Sequence, residues 1–239
     1  MILWLGMVVA FAADVLLSNP YNGSFVVDAQ GRGKKAVIFV HDDGKDKRNF
    51  AYLSGKLATR KLRTVNFDLL GHGERSDEEA IYPLMHTDVR SVIQYLQDQG
   101  VTEIQCVGEG IGGTICMQAI SDQTPLHQIA IISPVTTLHH QNLFAHIDSY
   151  PDRPIMVITA DQEAHGMRTT IRLEKELSVS THLVSDYRRG LVLLLEYPKM
   201  EQTLVNWIRR APDFRGTWDS VRTVEIDHEL NVEGERLPF

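Results

Sequence analysis

The chain has 239 residues, of which 43% are hydrophobic and 23% are charged, a composition that excludes wholesale disorder. This length is enough for one α/β domain of ordinary size and not comfortably enough for two. With 24 Lys and Arg against 31 Asp and Glu, the net charge is -7, and no basic surface for nucleic acid is expected. Two cysteines are too few for a disulfide-built scaffold or a four-cysteine metal site.

Residues 2–13 form an apolar run without a charged side chain, and Asp14 ends this run. Such a run is too short to cross a bilayer but is typical of the apolar region of a secretory signal. Ala10 and Ala12 are small residues at the spacing that a signal peptidase reads. We therefore predict that residues 1–13 are a signal peptide and that the protein is exported, periplasmic or extracellular, with no membrane span after removal of the signal. No Lys or Arg precedes the run, so the alternative is a first buried strand or helix in a cytoplasmic protein.

Strand and helix patterns alternate through the middle of the chain. Short apolar runs predict strands over residues 36–40, 63–68, 103–107, 129–132, 154–158 and 179–184. Helical periodicity predicts helices over residues 50–61, 84–99, 111–120, 166–177 and 199–210. Together they predict an α/β domain over residues 14–211, with a mainly parallel sheet and helices on both faces. The short span 133–154 leaves no room for a large cap domain.

The last segment, residues 212–239, differs in composition from the rest of the chain. It contains seven acidic residues and three arginines. Residues 221–226 could form one short strand, and the remainder is predicted to be a loosely docked acidic tail.

Ligand sites in parallel sheets lie beyond the carboxyl ends of the strands, so the stretches that follow the strands are informative. Residues 41–44 read His-Asp-Asp-Gly, residues 68–76 read Asp-Leu-Leu-Gly-His-Gly-Glu-Arg-Ser, and residues 108–113 read Gly-Glu-Gly-Ile-Gly-Gly. In this order and spacing they resemble the α/β-hydrolase family, which commonly has His-Gly-x-Gly, Asp-x-x-Gly-His-Gly-x-Ser and Gly-x-Ser-x-Gly-Gly. The resemblance covers about residues 30–210 and is to the small lidless esterases and dienelactone hydrolases. The matching motif residues are His41, Gly44, Gly71, His72, Gly73, Gly108 and Gly112.

The third stretch matches the nucleophile elbow of that family, where the chain turns sharply from a strand into a helix. The resemblance places Gly110 at the nucleophile position. A nucleophile must carry a lone pair on a side-chain atom, and glycine has no side chain. Glycine also adopts the strained elbow angles without the penalty that other residues incur.

The resemblance also locates the other two members of the catalytic triad. Glu163 matches the acid, with Asp161 as the alternative, and Arg189 stands at the position of the histidine. Arginine cannot serve as a general base because it does not deprotonate in proteins. His182 is the nearest histidine, and it is expected inside a strand rather than at its tip.

The family's oxyanion hole is built from backbone donors, here expected from Ile111 and Asp43. Asp42 and Asp43 stand where glycine and a neutral residue are usual, and their carboxylates would repel a forming oxyanion. They could bind a cation or an amine instead, and the alternative is a solvated acidic loop.

Several polar residues in these loops have structural interpretations. His41 and His72 are expected to hold loops by hydrogen bonds, and Glu109 is expected to brace a loop. Arg188 or Arg189 could form an ion pair with Glu163 that fills the position of the family's active site, or both arginines could be solvated.

The remaining histidines and the cysteines are weak candidates for a site. His139, His140 and His146 are interpreted as surface residues rather than metal ligands, since no carboxylate stands at a zinc-binding spacing. Cys106 and Cys116 are interpreted as small core residues, although in an exported protein they could oxidise to a disulfide.

Two functional hypotheses follow from these assignments. The first is an exported, catalytically degenerate relative of serine ester hydrolases that needs no cofactor or metal and binds a small acyl or ester ligand or a partner. It rests on Gly110 and Arg189. The alternative is an active carboxylic-ester or amide hydrolase with a non-standard catalytic set, such as Glu109 or Asp161 with His165 or a histidine distant in the sequence.

Overall fold

The computed structural model describes residues 13–59, 61–120, 126–149, 153–210 and 222–225. Apart from Ala13, the predicted signal peptide lies outside the described residues. The predicted acidic tail also lies outside them, apart from Arg222–Glu225, which form the short strand expected there.

A nine-stranded sheet runs through the described part of the chain, in the order β1-β2-β4-β3-β5-β6-β9-β10-β11. The first pairs, β1 with β2 and β2 with β4, are antiparallel, and all the others are parallel. The sheet strands are β1 (Ala13–Asn19), β2 (Gly23–Gly31), β3 (Lys35–Val40), β4 (Leu62–Phe67), β5 (Glu103–Glu109), β6 (Leu126–Ile132), β9 (Ile155–Ala160), β10 (Val179–Val184) and β11 (Arg222–Glu225). A separate small hairpin pairs β7 (Thr137–Leu138) with β8 (Gln141–Asn142).

Six α-helices connect these strands in the described residues. They are α1 (Ala51–Leu57), α2 (Met85–Asp98), α3 (Ile111–Ala119), α4 (Ala164–Glu176), α5 (Val192–Glu196) and α6 (Pro198–Arg209). The alternating architecture and every predicted core strand and helix are confirmed, with α1 shorter than expected. Between β6 and β9 the described residues form only the β7–β8 hairpin and the 3₁₀ helix Leu143–Ser149, so no large cap is present there. None of the helices in the described ranges is long and apolar enough to span a membrane.

The core lies on both faces of the sheet. The central strands β3, β5 and β6 are almost wholly buried, as expected for parallel strands covered on both sides. One apolar layer packs β-strand side chains against α2 and α3, through residues such as Val92 and Ile115. The other packs them against α1, α5 and α6, through residues such as Leu57 and Leu204. These two layers hold the carboxyl ends of the parallel strands at one edge of the domain.

The β1–β2 hairpin is the element that sequence reasoning missed. β1 alternates exposed and half-buried residues and buries only Asn19, so its apolar signal is weak. Polar contacts also anchor it, because the Asn19 side-chain amide donates to Thr87 and to the fully buried Asp88. Such an anchor between distant segments has no local sequence pattern.

The interpretation of the two cysteines as free core residues is wrong. Cys106 and Cys116 are both fully buried, and they are joined by a disulfide with their Cα atoms 6.0 Å apart. The bond links β5 to α3, on either side of the turn between them. The signal for this was their position on the two elements that the elbow forces into close approach.

Candidate active site

The elbow, residues 109–111, connects β5 to α3 with the backbone conformation predicted for a nucleophile turn. Gly110 precedes the first residue of α3 and has φ 52° and ψ -118°. A Cβ added at Gly108 would run into the backbone of Gly112 and Gly113, so strand and helix approach as closely as the motif requires. The backbone frame of a hydrolase elbow is therefore intact.

The space that a nucleophile side chain would occupy is filled by Asp42. A Cβ built on Gly110 would overlap the Asp42 carboxyl group. Asp42 Oδ1 accepts a hydrogen bond of 2.9 Å from the Ile111 backbone N–H, the predicted oxyanion donor. The Asp42 side chain is only 15% exposed. A carboxylate from the loop after β3 thus occupies both the nucleophile space and one donor of the oxyanion hole.

Arg189 lies on the far side of the Asp42 carboxylate. Its Nη2 is 3.4 Å from Asp42 Oδ2, and its side chain is 45% exposed. The predicted ion pair with Glu163 is wrong, because Arg188 pairs with Asp186 and Glu196 instead. The Arg188 hydrogen bond holds the pKa of Asp186 well below its usual range.

Glu163 is committed to a structural contact. It precedes α4, and its carboxylate accepts hydrogen bonds from the backbone N–H groups of His165 at 3.1 Å and Gly166 at 2.5 Å. This is helix capping, which satisfies donors that the first turn leaves unpaired. Asp161 is exposed beside it. The assignment of Glu163 to the acid position remains a prediction.

The other histidines considered for the base lie elsewhere. His182 lies within β10, as predicted, where its Nε2 is 3.1 Å from Ser180 Oγ and burial lowers its pKa. His165 is exposed and its Nδ1 is 3.2 Å from an Arg168 nitrogen. Among the described residues, no histidine is hydrogen-bonded to the Asp42 carboxylate.

His41 and His72 hold loops, as predicted. His41 Nε2 accepts a hydrogen bond of 3.0 Å from the Leu69 backbone N–H, and its Nδ1 donates to the Asp42 carbonyl oxygen at 2.8 Å. Burial lowers the pKa of His41. His72 Nδ1 is 3.0 Å from the carbonyl oxygen of Leu70. The loop that carries Asp42 is therefore tied to the loop after β4.

Glu109 also braces a loop, as predicted. Its carboxylate accepts hydrogen bonds from the Leu191 backbone N–H, at 3.0 Å, and from the Asn49 side chain. Burial raises its pKa. The remaining motif glycines, Gly44, Gly71 and Gly73, all have positive φ angles and lie in the turns after β3 and β4.

The alternative that Asp42 and Asp43 form a solvated acidic loop is wrong, because both carboxylates have hydrogen-bond partners within the protein. Asp43 accepts hydrogen bonds from Tyr82 Oη at 2.7 Å, His72 Nε2 at 3.1 Å and His139 Nε2 at 3.0 Å. We call these four residues the Asp43 cluster. Burial alone would raise the pKa of Asp43, but the hydrogen bonds from His139, Tyr82 and His72 lower it to about 2. In the described part of the chain, no group of three or more His, Cys, Asp or Glu side chains has an arrangement that could hold a metal ion.

The family is decided by a model of the α/β hydrolase family, which matches residues 37–230. The chain belongs to this family. A comparison with curated protein sequences finds no match.

Solved structures of esterases and a dienelactone hydrolase share the fold of this hydrolase-family chain. An esterase from Exiguobacterium antarcticum superposes with a TM-score of 0.68 at 12% identity, covering 83% of this chain and 100% of that one. An esterase from Pyrococcus furiosus has a TM-score of 0.67 at 12% identity, with 83% and 90% covered. The dienelactone hydrolase from Anabaena variabilis has a TM-score of 0.63 at 15% identity, with 83% and 95% covered. These likenesses show the fold.

Proposed function

We propose that this α/β-hydrolase-fold protein is a catalytically degenerate member of its family, with its ancestral active site closed by Asp42. The observation that carries the proposal is the Asp42 carboxylate, which overlaps the nucleophile position at Gly110 and accepts the Ile111 N–H. An oxyanion could not form there, because a carboxylate already uses the donor and carries the same charge.

The arginine at the base position supports the same conclusion. Arg189 faces Asp42 and cannot accept a proton from a nucleophile. Loss of the nucleophile alone costs about a million-fold in turnover in a related triad, so intact neighbours would not restore the reaction. The role left to the elbow site is binding, of a small acyl or ester ligand or of a partner.

Export is part of the proposal. The buried Cys106–Cys116 disulfide is typical of proteins that fold in an oxidising compartment, and it fits a signal peptide at residues 1–13. Mass spectrometry of the protein recovered from an expressing cell, its envelope and its medium tests this. Export with cleavage near residue 13 is expected, and a full-length chain with reduced thiols in the cytoplasm would contradict it.

The catalytic part is tested with a fluorophosphonate probe, which labels activated serine nucleophiles. The full chain is expected to remain unlabelled, and any ester cleavage it shows is expected to persist after treatment with the probe. Labelling of the native chain, or loss of ester turnover on treatment, would contradict the proposal and would require a nucleophile outside the family pattern.

A gain-of-function variant checks the positions assigned to the triad. Asp42→Gly, Gly110→Ser and Arg189→His together empty the site and restore a nucleophile and a base. Turnover of p-nitrophenyl butyrate should rise by at least about 100-fold over background, a small part of what an intact triad supplies. The matched control carries Asp42→Gly and Arg189→His but keeps Gly110. A folded triple variant no better than this control would contradict the assignment of Gly110 and Arg189.

A further inference from the structure

The Asp43 cluster contains the imidazole of His139, which makes no hydrogen bond to the described residues of the elbow. Its carboxylate takes three donors, and one of them is His139 on the β7–β8 hairpin. The His139 ring also stacks on Tyr82, with ring centroids 4.0 Å apart and planes 17° from parallel. Two independent contacts therefore fix the ring.

The backbone that carries His139 is strained. His139 and His140 form the turn of the hairpin, with φ angles of 46° and 62°. Hairpin turns of this kind favour Asn-Gly, and a left-handed conformation is unfavourable for a non-glycine residue. Strain of this kind persists where surrounding contacts hold it and is common at functional sites.

The accessibility of His139 distinguishes it from His41 and His72. His41 and His72 are buried, and both nitrogens of each ring are engaged. The His139 side chain is 40% exposed. Its Nε2 bonds to Asp43, and within the described residues its Nδ1 makes no hydrogen bond. One nitrogen is thus oriented by a carboxylate while the other is left for a ligand.

We propose that His139 is a nucleophilic imidazole that accepts acyl groups from activated esters and thioesters. Histidine is a known covalent nucleophile in acyl transfer, and a carboxylate on its second nitrogen stabilises the imidazolium that forms. Asp43 is a positioning residue, which holds the ring in the tautomer with the proton on Nε2.

The chemistry balances with water as the only co-reactant. The Nδ1 lone pair attacks the acyl carbon, the carbon–oxygen or carbon–sulfur bond breaks, and the alkoxide, phenolate or thiolate leaves with the electron pair. The acyl-imidazolium is stabilised by Asp43 across Nε2–H. Water then attacks the acyl carbon, the bond to Nδ1 breaks, and a carboxylic acid, a proton and the free imidazole are released.

The test follows p-nitrophenyl acetate cleavage by the full chain and by His139→Asn. Asparagine tolerates a positive φ, so the turn is preserved. The matched control is His140→Asn, the same change at the next residue of the same turn. We expect His139→Asn to lower the protein-dependent rate by at least about tenfold and His140→Asn to leave it unchanged. Diethyl pyrocarbonate, which carboethoxylates nucleophilic imidazoles, should modify His139 before His140.

The role of Asp43 is tested by Asp43→Asn. We expect a lower rate together with a change in the ring-nitrogen NMR signal of His139, while the signal of His140 stays the same. A loss of rate without a change in this signal would overturn the positioning role.

The outcomes separate this inference from the closed-elbow proposal. Equal rates in the native chain and His139→Asn, or equal losses in both turn variants, would overturn the role of His139. Cleavage that is independent of His139 and abolished by fluorophosphonate would overturn both proposals. Cleavage that depends on His139 and resists fluorophosphonate supports both.

Discussion

Two adjacent aspartates on one loop send their carboxylates to different places. Asp42 lies against the elbow, where it takes the Ile111 N–H and faces Arg189. Asp43 is the acceptor of the Asp43 cluster, where its carboxylate receives hydrogen bonds from Tyr82, His72 and His139. The Asp42 carbonyl oxygen accepts a hydrogen bond from the Lys45 backbone N–H across this turn, and the two side chains leave the turn toward different partners, so one dipeptide serves two sites.

The backbone of the elbow and the side chains beside it are held by different contacts. The backbone of the elbow keeps the conformation of the family, since the packing of β5 against α3 requires it. The side chains beside it, Asp42 and Arg189, form an ion pair. Next to it, the Asp43 carboxylate is hydrogen-bonded to the exposed imidazole of His139 on the β7–β8 hairpin.

The largest expected effect tests whether Asp42 packs on the elbow. Gly110→Ala adds a Cβ at positive φ that also overlaps Asp42, and should cost about 3 kcal/mol of unfolding free energy. Combining it with Asp42→Gly should recover about 1–3 kcal/mol, because the overlap disappears while the backbone strain remains. Denaturant unfolding of the four proteins in the cycle measures the coupling.

Gly44→Ala is the matched control for this cycle. Gly44 also has a positive φ, but nothing lies within 4 Å of a Cβ placed there. It should cost only the backbone strain and should be insensitive to Asp42→Gly. If Gly110→Ala and Asp42→Gly were additive, Asp42 would not fill the elbow.

The next effect concerns the disulfide behind the elbow. Replacing both Cys106 and Cys116 by alanine removes a cross-link that spans ten residues, and should cost about 2–3 kcal/mol. Denaturant unfolding with and without reductant measures the loss in the native chain, while the double variant should not respond to reductant. Diethyl pyrocarbonate modification of His139 should be the same in both proteins, because the bond joins β5 to α3 and neither cysteine lies in the hairpin. Free thiols in the unreduced native chain would contradict the bond.

The smallest effect is the acid sensitivity of the Asp43 cluster. The pKa of Asp43 falls from 3.8 to about 2 on folding, so its ionised form stabilises the protein above about pH 4. This contribution is lost as the pH falls from about 4 to about 2. Because Asp43 is one-third exposed, solvent screening limits it to about 1 kcal/mol.

Unfolding free energies measured from pH 5 to pH 2 check this contribution. Asp43→Asn should flatten the curve over that interval, while Asp161→Asn, at an exposed carboxylate, should leave it unchanged. A native curve that Asp43→Asn does not alter would show that the cluster contributes nothing to acid stability.

Much of the fold followed from local patterns, and the exceptions have a common cause. The buried strands and amphipathic helices repeat with periods that a short window reveals, and the loop glycines mark turns that need positive φ. The β1–β2 hairpin has no comparable local pattern, since the contact of Asn19 that anchors it is with Asp88, 69 residues away in the sequence. The spacing of two cysteines does not by itself indicate a disulfide, and the bond follows only from the close approach of β5 and α3.

The chemistry divides in the same way. The sequence by itself determined that this protein has the α/β-hydrolase architecture, and it predicted a glycine at the nucleophile position and an arginine at the base position. Only the tertiary structure decided that Asp42 fills the elbow, that Glu163 caps α4, and that His139 meets Asp43. The physical reason is that a residue type limits what a side chain can do, whereas its partner depends on which loops the sheet brings together.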